Sequence, residues 1–114
     1  IGFEPSRLMK DANIIMGYVK DGEQSVTDQF GTSPTGHRPD TSLGGENDII
    51  RSEVTEQNGS TRLSVVLPLE SGEDTDTPLE PGQSYALMLA HGPDGADDFS
   101  SYHGSDRLTV DITL

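Results

Sequence analysis

The apolar residues of this chain come in short bursts closed by Gly, Pro, Asn or Asp, a punctuation that fits strands and turns better than helices. Ala12 to Val19 reads Ala-Asn-Ile-Ile-Met-Gly-Tyr-Val, rich in β-branched and aromatic residues, and ends at Lys20-Asp21-Gly22, so it predicts a strand and a turn. Gln24 to Phe30 returns as its partner. Gly31 to Asn47 is polar, contains Gly and Pro, has no period, and is expected to be a long surface loop. Asp48 to Glu56 and Ser60 to Leu67 flank Asn58-Gly59, whose residues accept the positive φ that both centres of a type I′ turn need, so a second hairpin is expected. On its return strand Leu63, Val65 and Leu67 alternate with Arg62 and Ser64, the period of a half-buried strand; Val66 interrupts the polar side and points to partial cover. Pro68 to Gly82 reads as an acidic loop. Ser84 to His91 is apolar enough for a strand covered on both sides at the centre of a sheet. The last run sets Leu108, Val110, Ile112 and Leu114 inward against Thr109, Asp111 and Thr113.

No stretch carries a 3.6-residue period and no segment repeats. Six strands joined by polar turns predict an all-β fold, an immunoglobulin-like antiparallel sandwich forming a single domain over residues 1–114. Such a set leaves one sheet edge without a partner. Together with an opening at Ile1-Gly2-Phe3 rather than Met, this predicts that N-terminal strands of the fold are lacking.

Composition narrows the chemistry. Lys and Arg number 7 against 20 Asp and Glu, a formal net charge of −13, so a polyanionic partner would be repelled; nucleic acid and anionic membrane surfaces are disfavoured as partners. Acidity otherwise reads as a solvated surface. The absence of cysteine removes disulfides, thiolate metal sites, thiol nucleophiles and covalently attached haem. No apolar run approaches the ~20 residues needed to cross a bilayer. Neither an acid/base pair nor a nucleophilic triad can be assembled, so the chain does not read as an enzyme on its own.

The side chains with distinctive chemistry are few. His37 lies in the polar loop and reads as a solvated histidine. His91 closes a strand and reads as a residue bonded to backbone. His103 stands apart, in Phe99-Ser-Ser-Tyr102-His103-Gly104-Ser-Asp-Arg107, between aromatic neighbours and a cation. Met16 and Met88 sit in apolar strands and read as core filler. Met9, between Glu4-Pro5-Ser6-Arg7-Leu8 and Lys10-Asp11, falls in a polar segment that gives a thioether no packing reason. A thioether and an imidazole are a common axial pair for haem iron, and without cysteine only the non-covalent b form remains. Clustered oxygens in Glu70 to Asp76 and in Asp94 to Asp98 raise calcium as a possibility, but neither matches the spacing of a known calcium loop, and a solvated acidic loop is the preferred reading. Asn58-Gly59-Ser60 fits a glycosylation acceptor.

Gly2-Phe3-Glu4-Pro5-Ser6 followed by Met9-Lys10-Asp11-Ala12-Asn13-Ile14-Ile15-Met16-Gly17-Tyr18 resembles the opening of DOMON domains and their first hydrophobic strand. Asn58-Gly59-Ser60-Thr61, Leu67-Pro68-Leu69, Pro81-Gly82-Gln83-Ser84-Tyr85, Leu89-Ala90-His91-Gly92, Asp98-Phe99 and Tyr102-His103 then follow in the order of that family. The resemblance implies an extracytoplasmic sandwich. In its cytochrome branch it implies haem b held by Met9 and His103, with Tyr102 and Arg107 beside the cofactor and electron transfer to a redox partner protein or a membrane chain. Asp98 and Asp106 are candidates to orient His103. One departure is that the family's Arg-Gly after the histidine is here Arg107-Leu108, one position further on. Members without haem keep the sandwich, which leaves two rivals. One is a carbohydrate-binding module, which the absence of Trp disfavours. The other is a module of a surface assembly that self-associates or accepts a strand from another chain.

Overall fold

The computed structural model describes residues 1–114. Its strands are β1 (Gly2–Phe3), β2 (Asn13–Lys20), β3 (Glu23–Ser33), β4 (Gly36–Pro39), β5 (Arg51–Gln57), β6 (Ser60–Val66), β7 (Ser84–Ala90) and β8 (Arg107–Thr113), with a 3-10 turn at Asp40–Ser42 and no α-helix. A six-stranded sheet runs β4-β3-β2-β1-β7-β8, and β5-β6 form a two-stranded sheet. Every pairing is antiparallel. The smaller sheet packs on β2 and β3. This is the all-β sandwich that the alternation predicts.

Both expected hairpins form, for the expected reason. Asp21 and Gly22 take φ of 51° and 81°, and Asn58 and Gly59 take 53° and 73°, so each two-residue turn has both centres in the left-handed region and its twist matches the flanking strands. On β6, Leu63 and Val65 are half-buried while Arg62, Ser64 and Val66 are exposed.

Three expectations are corrected. Gly31 to Asn47 is not one loop: β3 runs on to Ser33 through a bulge, and Gly36–Pro39 pairs back on it. The bulge breaks the period of two, and Gly-His-Arg-Pro carries no apolar residue, so neither feature shows as a pattern. Ser84 to Ala90 does lie between two strands, β1 and β8, but only Tyr85 on it is buried. On β8, Val110 and Ile112 are half-buried, whereas Leu108 and Leu114 remain 57% and 45% exposed, because β8 is an edge strand and the smaller sheet covers β2 and β3 instead. The two-residue β1, too short to leave a pattern, joins the halves of the large sheet through Gly2 opposite Ile14 on one side and Met88 on the other.

Register divides the β2–β3 hairpin into two faces. Ile15 stands opposite Asp28 and Gly17 opposite Val26, and directly opposed residues share a face. Leu63 Cδ1 of β6 lies 2.9 Å from where a Gly17 Cβ would sit, so this set, with Asn13, points between the sheets. Ile14, Met16 and Tyr18 point the other way, where the Phe99 ring lies 4.7 Å from that of Tyr18. Residues 91–106 therefore fold over the outer face. The buried residues include Phe3, Ala12, Ile14, Ile15, Val54 and Tyr85, but also Asn13, Asp28, Gln29 and Asp40, an unusual share of polar groups for so small an interior.

Gly31 is where the segment before β2 rests on β3. A Cβ there would fall 1.6 Å from the Met9 carbonyl oxygen, a backbone atom that cannot turn aside. Gly31→Ala is expected to destabilise by about 3 kcal/mol or prevent folding. Gly22→Ala, strained in φ but open in space, should cost about 1 kcal/mol. Urea unfolding of the two variants checks the order.

Candidate functional site

Two segments singled out in the sequence, the turn that carries Met9 and the loop that carries His103, lie on the outer side of the sheet. Between β1 and β2, the chain makes a tight excursion with Glu4, Leu8 and Asp11 at φ of 50°, 54° and 65°, conformations that side chains other than glycine adopt only when held there. The hold is visible. The Ser6 N–H donates to the Lys10 carbonyl at 2.8 Å, the Lys10 N–H to the Arg7 carbonyl at 3.0 Å, and the Lys10 ammonium pairs with the Asp11 carboxylate at 2.7 Å. Leu8 and Met9 form the tip. The Met9 N–H donates to the Pro34 carbonyl at 3.3 Å and its carbonyl accepts from the Ala12 N–H at 3.2 Å, which docks Met9, half-buried, on the β3–β4 hairpin.

His37 stands on the same hairpin, opposite Gly31. It is half-buried rather than solvated as expected, and its Nδ1 donates a short hydrogen bond to Gln29 Oε1. Its pKa is lowered by burial first and by the charge of His103 second. His103 is half-buried in the loop over the outer face, its ring 5.2 Å from that of Tyr102, which is 74% exposed. His103 Nδ1 lies 3.1 Å from the Gly104 carbonyl, which can only accept, so Nδ1 carries the proton and Nε2 keeps a free lone pair.

Neither expected carboxylate orients His103. Asp98 caps its own turn, accepting from Ser100 and Ser101 N–H at 2.6 Å each and from both hydroxyls, and these bonds hold its pKa well below the usual range. Asp106 meets His103 only through its backbone N–H, which donates to the His103 carbonyl at 3.2 Å. Arg107 opens β8 opposite Ala90, exposed and without an ion pair, and lines a shallow hollow with Leu89, His91 and Leu108. His91 is bonded through Nδ1 to the Gly92 carbonyl at 2.9 Å, as its strand-end position implied.

The inner face holds a second group. Asp28 of β3, Asp40 of the 3-10 turn and Asp76 of the acidic loop bring carboxylate oxygens within 4.8 Å of one another, and Asp48, Glu73 and Asp76 do the same. Asn13 Nδ2 donates to Asp76 at 2.5 Å and the Asp48 N–H to Asp28 at 3.2 Å. No basic side chain pairs with any of them. Burial, reinforced by the charges of Asp40 and Asp76, pushes Asp28 up to about 7. Burial pushes Asp40 up to about 6, eased by the Thr75 hydroxyl and reinforced by the charges of Asp76, Glu73 and Asp48. Asp76 is raised by burial and the same neighbours.

Residues 1–92 match the DOMON domain family. The chain belongs to that family. No curated protein and no solved structure matches it. DOMON domains are typically extracellular and generally bind or sense rather than catalyse. No helix of this one is long and apolar enough to cross a membrane. Met9 lies within the matched residues of the DOMON domain and His103 beyond them.

The sequence reading missed His37 and, among the inner-face acids, Asp28, Asp40 and Asp48, whereas Glu73 and Asp76 lie in the Glu70 to Asp76 segment raised for calcium. Asp28 and Asp40 stood among ordinary polar residues. The one available signal was Asp28 itself, falling on the same side of its strand as Val26 and Phe30, where an apolar residue belongs.

The carboxylates give the cation-free protein an unusual pH dependence. Their folded pKa values lie above the unfolded value near 4, so between pH 4 and 7 the folded state binds more protons and stability falls as pH rises. In a metal-free buffer the unfolding midpoint should be higher at pH 5 than at pH 8. Asp28→Asn should flatten the slope.

Proposed function

We propose that this DOMON domain binds haem b on its outer face, with Met9 and His103 as axial ligands, and serves as an extracytoplasmic electron relay. The observation that carries the reading is convergence. Met9 docks on the β3–β4 hairpin through Pro34 and Gly31, and the loop that carries His103, remote in sequence, folds over the same outer face, where Phe99 packs on Tyr18. The donor set fits: His103 offers a free Nε2 with its ring fixed by Gly104, and Met9 offers a thioether outside the apolar core.

Haem b supplies reversible one-electron chemistry, and a Met/His pair raises its potential. The chain's own residues do the rest. The Gly104 carbonyl fixes the His103 tautomer. The braced turn from Ser6 to Asp11 keeps Met9 from swinging away, at the cost of left-handed backbone at Leu8 and Asp11. Leu8 and Tyr102, both largely exposed, offer apolar surface for a flat ligand. Arg107 has the chemistry for a propionate but opens β8, the strand at the opposite edge of the sheet from the β3–β4 hairpin. If both side chains bound the iron, no position would be open to a substrate, and the domain would hand electrons to a partner protein or a membrane chain. A role in surface assembly is the second reading, favoured by β8, a seven-residue edge strand with exposed Leu108.

The test is spectroscopic. The protein loaded with haem b should give a Soret band and sharp reduced α and β bands. His103→Ala should abolish the low-spin spectrum, Met9→Ala should leave five-coordinate or weakly ligated iron, and His37→Gln should keep the wild-type bands. A protein that stays colourless with added haem contradicts the reading. Loss of the bands in His37→Gln but not in His103→Ala contradicts the ligand assignment.

A further inference from the structure

Asp40 has no exposed surface, and neither of its carboxylate oxygens has a hydrogen-bond partner. Asp28, 3% exposed, leaves Oδ1 unpartnered, and so do Asn13 at Oδ1, Asp48 at Oδ2 and Asp76 at Oδ2. These orphan acceptors converge, since the oxygens of Asp28, Asp40 and Asp76 lie within 4.8 Å of one another. A small cavity of about 10 Å³, the room that one water-sized particle needs, is walled by Asn13, Asp28, Asp48 and Asp76. Buried acceptors are almost always satisfied, and an acceptor can be satisfied only by a donor or a cation. The Thr75 hydroxyl approaches Asp40 but does not reach hydrogen-bond geometry with either of its oxygens.

We infer that the space between the two sheets is a divalent-cation site, with Asp28, Asp40 and Asp76 as the primary carboxylate ligands and Asn13, Asp48 and Glu73 around them. Oxygen-only donors exclude the softer transition metals as natural occupants. The donors come from β2, β3, the 3-10 turn and two loops, with no octahedral frame, and irregular sets of six or more oxygens suit calcium rather than magnesium. The ion would tie the acidic loop at Glu73 and Asp76 and the turn at Asp40 to the β2–β3 hairpin, which makes it a staple of the fold. The site lies on the face opposite Met9 and His103, so it stands or falls independently of haem.

Calorimetric titration of haem-free, chelator-treated protein with calcium chloride, and its unfolding midpoint with and without calcium, test the inference. Calcium should bind, and at about 100 times its Kd should raise the midpoint by roughly 10 °C. Magnesium at the same concentration should raise it far less. Asp76→Asn and Asp40→Asn should weaken binding at least about tenfold, while Asp111→Asn, on the exposed edge strand, should bind as wild type does. If Asp40→Asn does not fold, the wild-type and Asp76→Asn titrations decide. The inference is overturned if wild-type protein shows no calcium heat and no midpoint shift beyond that of magnesium, or if Asp76→Asn binds unchanged.

Discussion

Five carboxylates, Asp28, Asp40, Asp48, Glu73 and Asp76, share the space between the sheets, where a domain of this size would ordinarily place apolar side chains. Only 12 of 114 residues are buried, so the apolar core is small, and a typical domain has about 5–15 kcal/mol of stability in total. One uncompensated buried charge costs several kcal/mol. Several together cannot persist as bare anions in so small a structure. Protons or a cation must occupy them, and the raised pKa values of Asp28 and Asp40 express the first choice while the orphan oxygens express the second. Much of what holds the 3-10 turn and the acidic loop in place follows from which of these occupies the site.

The same hairpin serves two separate purposes because a strand presents alternate residues to opposite sides. Asn13 and Asp28 face inward to the acids, while Gln29 holds His37 on the outer side. Separation by one sheet thickness keeps the anionic cluster away from the imidazoles. It also leaves the outer site dependent on loops: the braced turn around Met9 and the long segment ending at His103. That is the common division of labour between a rigid sheet and the functional loops it carries.

Much of the strand plan was legible because it rests on local signals. Asn58-Gly59 and Asp21-Gly22 announce their turns by φ alone, and Leu63 and Val65 announce a face by spacing. The burial of β8 was not legible, because its alternation says which residues share a side but not whether anything lies on that side. β1 and β4 escaped for want of length and apolar content. On the outer face, His37 looked like any loop histidine until β4 was seen. The acidic cluster was invisible for a different reason. Its members are scattered from Asp28 to Asp76 in segments that only the tertiary fold brings together, so inspecting Glu70 to Asp76 alone yields an apparent solvated loop.

A crystal structure of haem-free protein grown with calcium, with anomalous scattering measured, tests the central claim most directly. The account predicts a single anomalous peak between Asp28, Asp40 and Asp76 with oxygen contacts of about 2.3–2.6 Å. Carboxylates bridged by waters at ordinary hydrogen-bond distances, with no anomalous signal, would contradict it.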